Sequence, residues 1–226
     1  MIYITKMHNT RIGYNKRLHE VEVYFNTLKL LDAGNCSIKC VDILGNESFA
    51  EINSELSTIL KANGFLLLYN LMESTIRMSL DAVINSMHDS NVTFRSLSDK
   101  LRKLWIRQEG KNANEDKIMS IANSVLDDHL LRFKKEFINI SGNIDAQEIR
   151  NILKKLGGAE ISNGRYLKTI KDKRNHLAHG EFSFSEIGRD FTVNELIVYK
   201  DSTKDYLVKV LDEIQSYLDN KEYLHP

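Results

Sequence analysis

The chain has 226 residues, 42% of them hydrophobic, enough for a proper core in one large domain or two small ones. Its 31 basic and 31 acidic residues cancel, which excludes the global positive field of many nucleic-acid binders, so any RNA contact must be local. The single proline is the final residue, Pro226, and an interior free of prolines points to long helices and an all-α fold.

In chain order, Met1 to Lys6 lacks the charged start, apolar stretch and cleavage site of a secretory signal, and a cytoplasmic location is expected. Apolar residues from Glu20 to Leu31 recur at helical spacing and predict a first helix over roughly 13–33, ended by Gly34. Cys36 to Leu44 alternates enough to permit a strand, but without an evident partner it reads as a connector closed by Gly45-Asn46. Cys36 and Cys40 have no second pair with which to build a four-thiolate zinc site, and no function is assigned to them.

Ser48-Phe49-Ala50-Glu51 has the spacing of a capping box and predicts the start of a long helix reaching about residue 87. Its middle, Phe65-Leu66-Leu67-Leu68-Tyr69, is apolar nearly all round, which suits the central helix of a bundle, with Gly64 as a site for a bend. That run is far short of the roughly 20 residues that cross a bilayer, so no membrane is expected. Thr93 to Arg107 predicts a shorter helix, and another runs from about Glu115 through Phe133 and Phe137 until Ser141-Gly142-Asn143. The section 91–142 is readable as a helical insertion between core helices of a single 1–226 domain.

Asp145 caps a helix ending at Gly157-Gly158, and Asn163 opens the next, which Gly180 ends. Phe182 to Ser185 reads as a turn or short extended piece, after which Thr192-Val193-Asn194-Glu195 caps the last helix. The total is about seven helices, with no internal repeat.

One run stands out chemically: Lys173-Arg174-Asn175-His176-Leu177-Ala178-His179-Gly180. Arginine holds phosphate with a planar, permanent charge, and histidine moves protons near neutral pH. Arg165, Lys168, Lys171, Lys173 and Arg174 place five cations in ten residues against Asp172 alone, and the first four are candidates for RNA binding. A solvated helix face explains that charge equally well, and favourable interaction with a helix C-terminus explains each motif residue singly. His176, His179 and Glu181 form only a partial metal set at an unusual spacing, so no metal and no cofactor is expected.

On a straight helix Arg174 and His179, five residues apart, point about 140° from one another, whereas Asn175 and His179 share a face. Either the helix departs from ideal near His179, or a second element or second subunit completes the site.

Arg174 through His179 resembles the Arg-x(4-6)-His signature of the HEPN superfamily, helical bundle proteins that include many prokaryotic ribonuclease toxins, and Asn175 matches the frequent asparagine after the arginine. The upstream stretch Ala62 to Thr75 and the tail His179-Gly180-Glu181, Phe184, Ile187-Gly188-Arg189-Asp190-Phe191 extend the likeness to the MAE-type HEPN nuclease-like family from about residue 15 onward. The resemblance implies a homodimer with two motifs facing one cleft, which cuts RNA without a metal, as a toxin or antiviral-defence effector with an antitoxin or regulatory protein as a further partner. Arg174, Asn175 and His179 carry over as catalytic residues, and Glu73 as a supporting candidate on the first core helix. The alternative is a non-catalytic HEPN-like module that binds RNA, nucleotide or protein.

Overall fold

The computed structural model describes residues 6–34, 36–138, 140 and 142–225, so Met1 to Thr5, Ser141 and Pro226, on which parts of the readings above rest, lie outside the described residues. Among the described residues there are eight helices: α1 (His8–Asp32), α2 (Ser54–Asp89), α3 (Asp99–Glu109), α4 (Glu115–Leu126), α5 (Ala146–Leu156), α6 (Leu167–Ala178), α7 (Phe184–Arg189) and α8 (Val193–Asp219). The only sheet among them is an antiparallel hairpin of β1 (Ser37–Val41) and β2 (Glu47–Glu51). The fold is all-α, and α2, at 36 residues, is the longest helix among the described residues. No helix among the described residues is long and apolar enough to cross a membrane.

The chain divides into two compact units. One comprises residues 15–72 and 164–205 and buries Val21, Phe25 and Leu28 of α1, Phe65, Leu68 and Tyr69 of α2, and Leu167, Ile170 and Leu177 of α6. Two glycines permit close approach there. Helix α2 continues without a break through Gly64, where a methyl would stand 3.2 Å from the Phe25 ring, so the missing side chain makes room for that ring. At Gly188 a methyl would stand 1.8 Å from the Thr58 carbonyl oxygen, so the backbone of α7 lies directly against that of α2. Lys61 of α2 donates to the Phe191 carbonyl at 2.8 Å, and the Tyr24 hydroxyl donates to the Leu60 carbonyl.

The hairpin replaces two sequence expectations. Ser48 to Glu51 is not a capping box but most of β2, and Cys36 to Leu44 is not a connector but contains β1, paired from Ser37 opposite Glu51 to Val41 opposite Glu47. The tight turn explains why: Gly45 adopts a left-handed φ of 84°, and the Asp42 carboxylate accepts from the amides of Leu44 and Asn46, which closes the strands on one another. The cap of α2 falls to Asn53, whose side chain accepts from the Leu56 amide at 2.8 Å.

The other unit comprises residues 6–14, 73–163 and 206–225 of the described chain. Its core is drawn from Ile76, Leu80 and Val83 of α2, Leu101 and Trp105 of α3, Ile149, Ile152 and Leu156 of α5, and Leu207, Val210, Leu211 and Tyr217 of α8. Asp145 caps α5 by accepting from the Glu148 amide, and Gly157 ends it in the left-handed conformation at φ 107°, as the sequence predicts. The shorter helix starts at Asp99 rather than Thr93, because Thr93 and Leu97 are held in bridges to Leu130 and Leu224.

The helix expected to continue through Phe137 stops at Leu126. Two acids, Asp127 and Asp128, stand at its negative end, and Asp128 turns left-handed at φ 52°. The following chain binds elsewhere: the Leu131 amide donates to the Val92 carbonyl, and Phe133 and Phe137 are buried against one another edge to face. Burial of these rings outweighs the helical periodicity.

The Phe133 amide donates to Nε2 of His88 at 3.0 Å, which requires that nitrogen to be unprotonated. Burial, and then the charge of Arg132, hold the His88 pKa below the ordinary imidazole value. The folded chain thus binds fewer protons here than the unfolded chain, so stability declines as pH falls through about 6.5, the unfolded imidazole value, towards the lower folded one. Denaturant titrations at pH 7.5 and 5.5 are expected to show that decline in the native chain and a smaller one in His88→Gln, whose amide oxygen can still accept. An equal decline in both would remove His88 as its source.

Candidate functional site on helix α6

The chain enters α6 through Asn163 and Gly164, both left-handed at φ 76° and 84°, so the helix starts at Leu167 rather than at Asn163. Leu167, Ile170 and Leu177 anchor one face. Arg174 and Asn175 are half-buried beside that face.

The Arg174 guanidinium is held from two sides. Its Cζ lies 4.0 Å from the centroid of the Tyr69 ring, and its Nη1 donates to Oδ1 of Asn175 at 2.9 Å. A guanidinium on an aromatic face gains cation–π attraction, and the amide fixes the rotation of its plane. Sequence spacing cannot reveal Tyr69, which comes from the distant helix α2; only the apolar character of its stretch is readable.

Helix α6 ends in a Schellman motif. The Glu181 amide donates to the His176 carbonyl at 3.0 Å, the Gly180 amide donates to the Leu177 carbonyl at 3.3 Å, and Gly180 is left-handed at φ 68°. His179 is the capping residue: its backbone is still right-handed at φ −93°, and its amide donates to the Asn175 carbonyl at 2.9 Å. The helix therefore runs regularly as far as His179 and reverses only after it. The departure from an ideal helix near His179 that the sequence allows is thus present as the reversal at Gly180, one residue beyond it.

The two motif histidines have different surroundings. The ring of His176 stacks on Phe182, with centroids 5.1 Å apart, and its Nε2 lies 3.7 Å from a Glu181 carboxylate oxygen. Both partners are brought back over His176 by the reversal at Gly180. His179 instead stands exposed at the end of the helix. No grouping of three His, Cys, Asp or Glu suited to a metal exists among the described residues.

The other candidates separate. Arg165 and Lys168 are exposed at the start of α6, whereas Lys171 and Lys173 are half-buried, with Asp172 at 3.7 Å from the former and Asp190 at 3.9 Å from the latter. Glu73 belongs to the other compact unit and accepts from Arg77, one turn along α2, at 2.6 Å. Phe182 to Ser185, expected as a turn or short extended piece, instead leads into α7, started by a capping box in which Ser183 and Glu186 bond reciprocally. The overlapping apolar pairs of so short a helix leave no clear period. The expected cap of α8 is present, with the Glu195 amide donating to Thr192 Oγ1 and the Thr192 amide to the Glu195 carboxylate.

A methyl at Gly180 would meet nothing within 4 Å, so Gly180→Ala isolates the backbone cost of the left-handed turn. A loss of about 1–2 kcal/mol in unfolding free energy is expected, and a smaller loss for Gly180→Asn. An Ala variant as stable as the parent would mean that the helix end can be closed in another way.

No curated protein and no solved structure matches the chain. The family model of MAE_28990-like HEPN domains matches residues 13–223, a span that takes in the whole of α2 and α6 to α8. Matched over that span and all-α in architecture, the chain belongs to the MAE_28990-like HEPN family.

Proposed function

We propose that the protein is a metal-independent endoribonuclease whose chemistry is carried by Arg174, Asn175 and His179. The observation that carries this reading is the division of labour at the end of α6: His176 is occupied by Phe182 and Glu181, while His179 is exposed at the helix end, five residues after the arginine whose guanidinium Tyr69 and Asn175 hold. Membership in the HEPN family supports a role connected with RNA.

The reaction is internal transfer. A base removes the proton of the ribose 2'-hydroxyl, the 2'-oxygen bonds to the adjacent phosphorus, and the bond to the 5'-oxygen breaks as an acid protonates that oxygen. The products are a 2',3'-cyclic phosphate and a free 5'-hydroxyl. Arg174 stabilises the charge that builds on the phosphoryl oxygens, Asn175 holds its plane, and His179 transfers protons. Lys168 and Arg165 offer charge to the flanking phosphates.

One motif contributes one free histidine, whereas the reaction needs both a base and an acid. A second copy related by a two-fold axis would supply the other histidine, and would also accommodate the angle of about 140° between Arg174 and His179. We therefore read the working enzyme as a homodimer with a composite site, acting in the cytoplasm as a toxin or defence effector under the control of a partner protein. The helices between 91 and 142 are read as an insertion in a single domain.

With labelled RNA in EDTA, His179→Ala is expected to lose about 10²–10⁴-fold in cleavage rate and Arg174→Ala about 10²-fold or more. His176→Ala should retain most activity, with a loss in stability. Equal cleavage by the native chain and His179→Ala would overturn the assignment; loss in EDTA restored by zinc or magnesium would favour a metal mechanism. Binding without cleavage by any form would favour the non-catalytic module.

A further inference from the structure

The start of α6 carries an arrangement that the chemistry at its other end does not use. Tyr166 meets Tyr199 edge to face at 4.5 Å, and Tyr199 in turn lies 5.9 Å from Phe191 and 6.0 Å from Phe65. Phe65 is fully buried, whereas Tyr166, Tyr199 and Phe191 are each partly exposed, so the array runs from the core of its compact unit to the surface. Cations lie on its rings. The exposed Arg165 guanidinium lies 4.4 Å from the centroid of Tyr166, and the Lys173 ammonium 5.4 Å from that of Phe191. Lys168 is exposed less than one turn further along the helix.

An exposed guanidinium over a tyrosine ring, with further cations alongside, is suited to one chemical class of ligand. Unpaired bases stack on aromatic rings and on arginine planes while cations follow the phosphates; a duplex hides those base faces. We infer that Arg165 and Tyr166, braced by Tyr199, form a stacking platform for an unpaired base of single-stranded RNA. The inference rests on the ribonuclease reading only in taking the same RNA strand to reach His179.

Distance makes the idea specific. Thirteen residues separate Tyr166 from His179 along the chain, about 20 Å at 1.5 Å per helical residue. The platform and the scissile phosphate thus engage different nucleotides of one strand. A dinucleotide cannot occupy both, whereas a longer single strand can. Tyr166 is a substrate-binding residue, remote from the reacting atoms, and its loss should appear in KM rather than in kcat.

The test measures binding and cleavage separately. Anisotropy of a labelled single-stranded oligoribonucleotide is titrated with His179→Ala protein, then with the same protein carrying Tyr166→Leu, Tyr166→Phe or Arg165→Ala. Tyr166→Leu is expected to weaken binding about tenfold or more, and Tyr166→Phe to preserve it. One abasic ribose, moved along the strand, should reproduce the loss at one position and add nothing further in Tyr166→Leu. Duplex RNA should bind equally to both. In the active chain Tyr166→Leu should raise KM for the long strand and leave kcat, and cleavage of a dinucleotide, unchanged.

Unchanged binding by Tyr166→Leu and Arg165→Ala would overturn the inference, as would an equal loss on duplex RNA. Failure to bind single-stranded RNA at all would also overturn it and assign the surface to a protein partner. If the native chain cleaves nothing while Tyr166→Leu still weakens binding, the ribonuclease reading falls and the platform stands. Cleavage that depends on His179 but not on Tyr166, in KM or kcat, sinks the platform alone.

Discussion

The reversal of the chain at Gly180 is the constraint on which the candidate site depends. A left-handed residue at the end of α6 lets the Glu181 and Gly180 amides satisfy carbonyls of the last turn, which would otherwise lack partners. It also decides the surroundings of each histidine. Because the chain folds back immediately, Glu181 and Phe182 return over His176, and His179 remains at the exposed tip. A helix continuing past residue 180 would place neither partner on His176. A single backbone conformation therefore distinguishes two histidines that are chemically identical in the sequence.

Arg174 depends on a different kind of support. Its position follows from the burial of Leu167, Ile170 and Leu177 on the same helix, and its orientation from Tyr69 and Asn175. Tyr69 is itself buried, so the ring that carries the cation is fixed by the core of α2. The close contact of Gly188 with Thr58 holds the chain after α6 against the same α2 backbone. Packing thus sets the cation, and capping sets the imidazole.

Local chemistry is readable wherever one residue decides a helix end. Asp145, Gly157, Gly180 and the Thr192–Glu195 pair all act as their side chains or missing side chains suggest. Reading fails where distant partners compete with local preference. Ser48 and Glu51 have the spacing of a cap, yet pairing with residues 37–41 makes them a strand. Phe133 and Phe137 continue a helical period, yet their burial pulls them away from α4. Arg174, Asn175 and His179 are legible as a motif because their residue types are uncommon in so short a run. Tyr69 and the aromatic braces of Tyr166 are not, since no spacing rule connects them to α6.

Metal-free attack by the 2'-hydroxyl is the central claim, and the identity of the cleaved ends tests it most directly. Phosphorus NMR of an oligoribonucleotide cut by the purified protein in EDTA should show a 2',3'-cyclic phosphate, with a free 5'-hydroxyl on the other fragment. A 5'-phosphate and a 3'-hydroxyl would instead mean attack by water on the opposite side of the phosphate, and would contradict the mechanism assigned to His179.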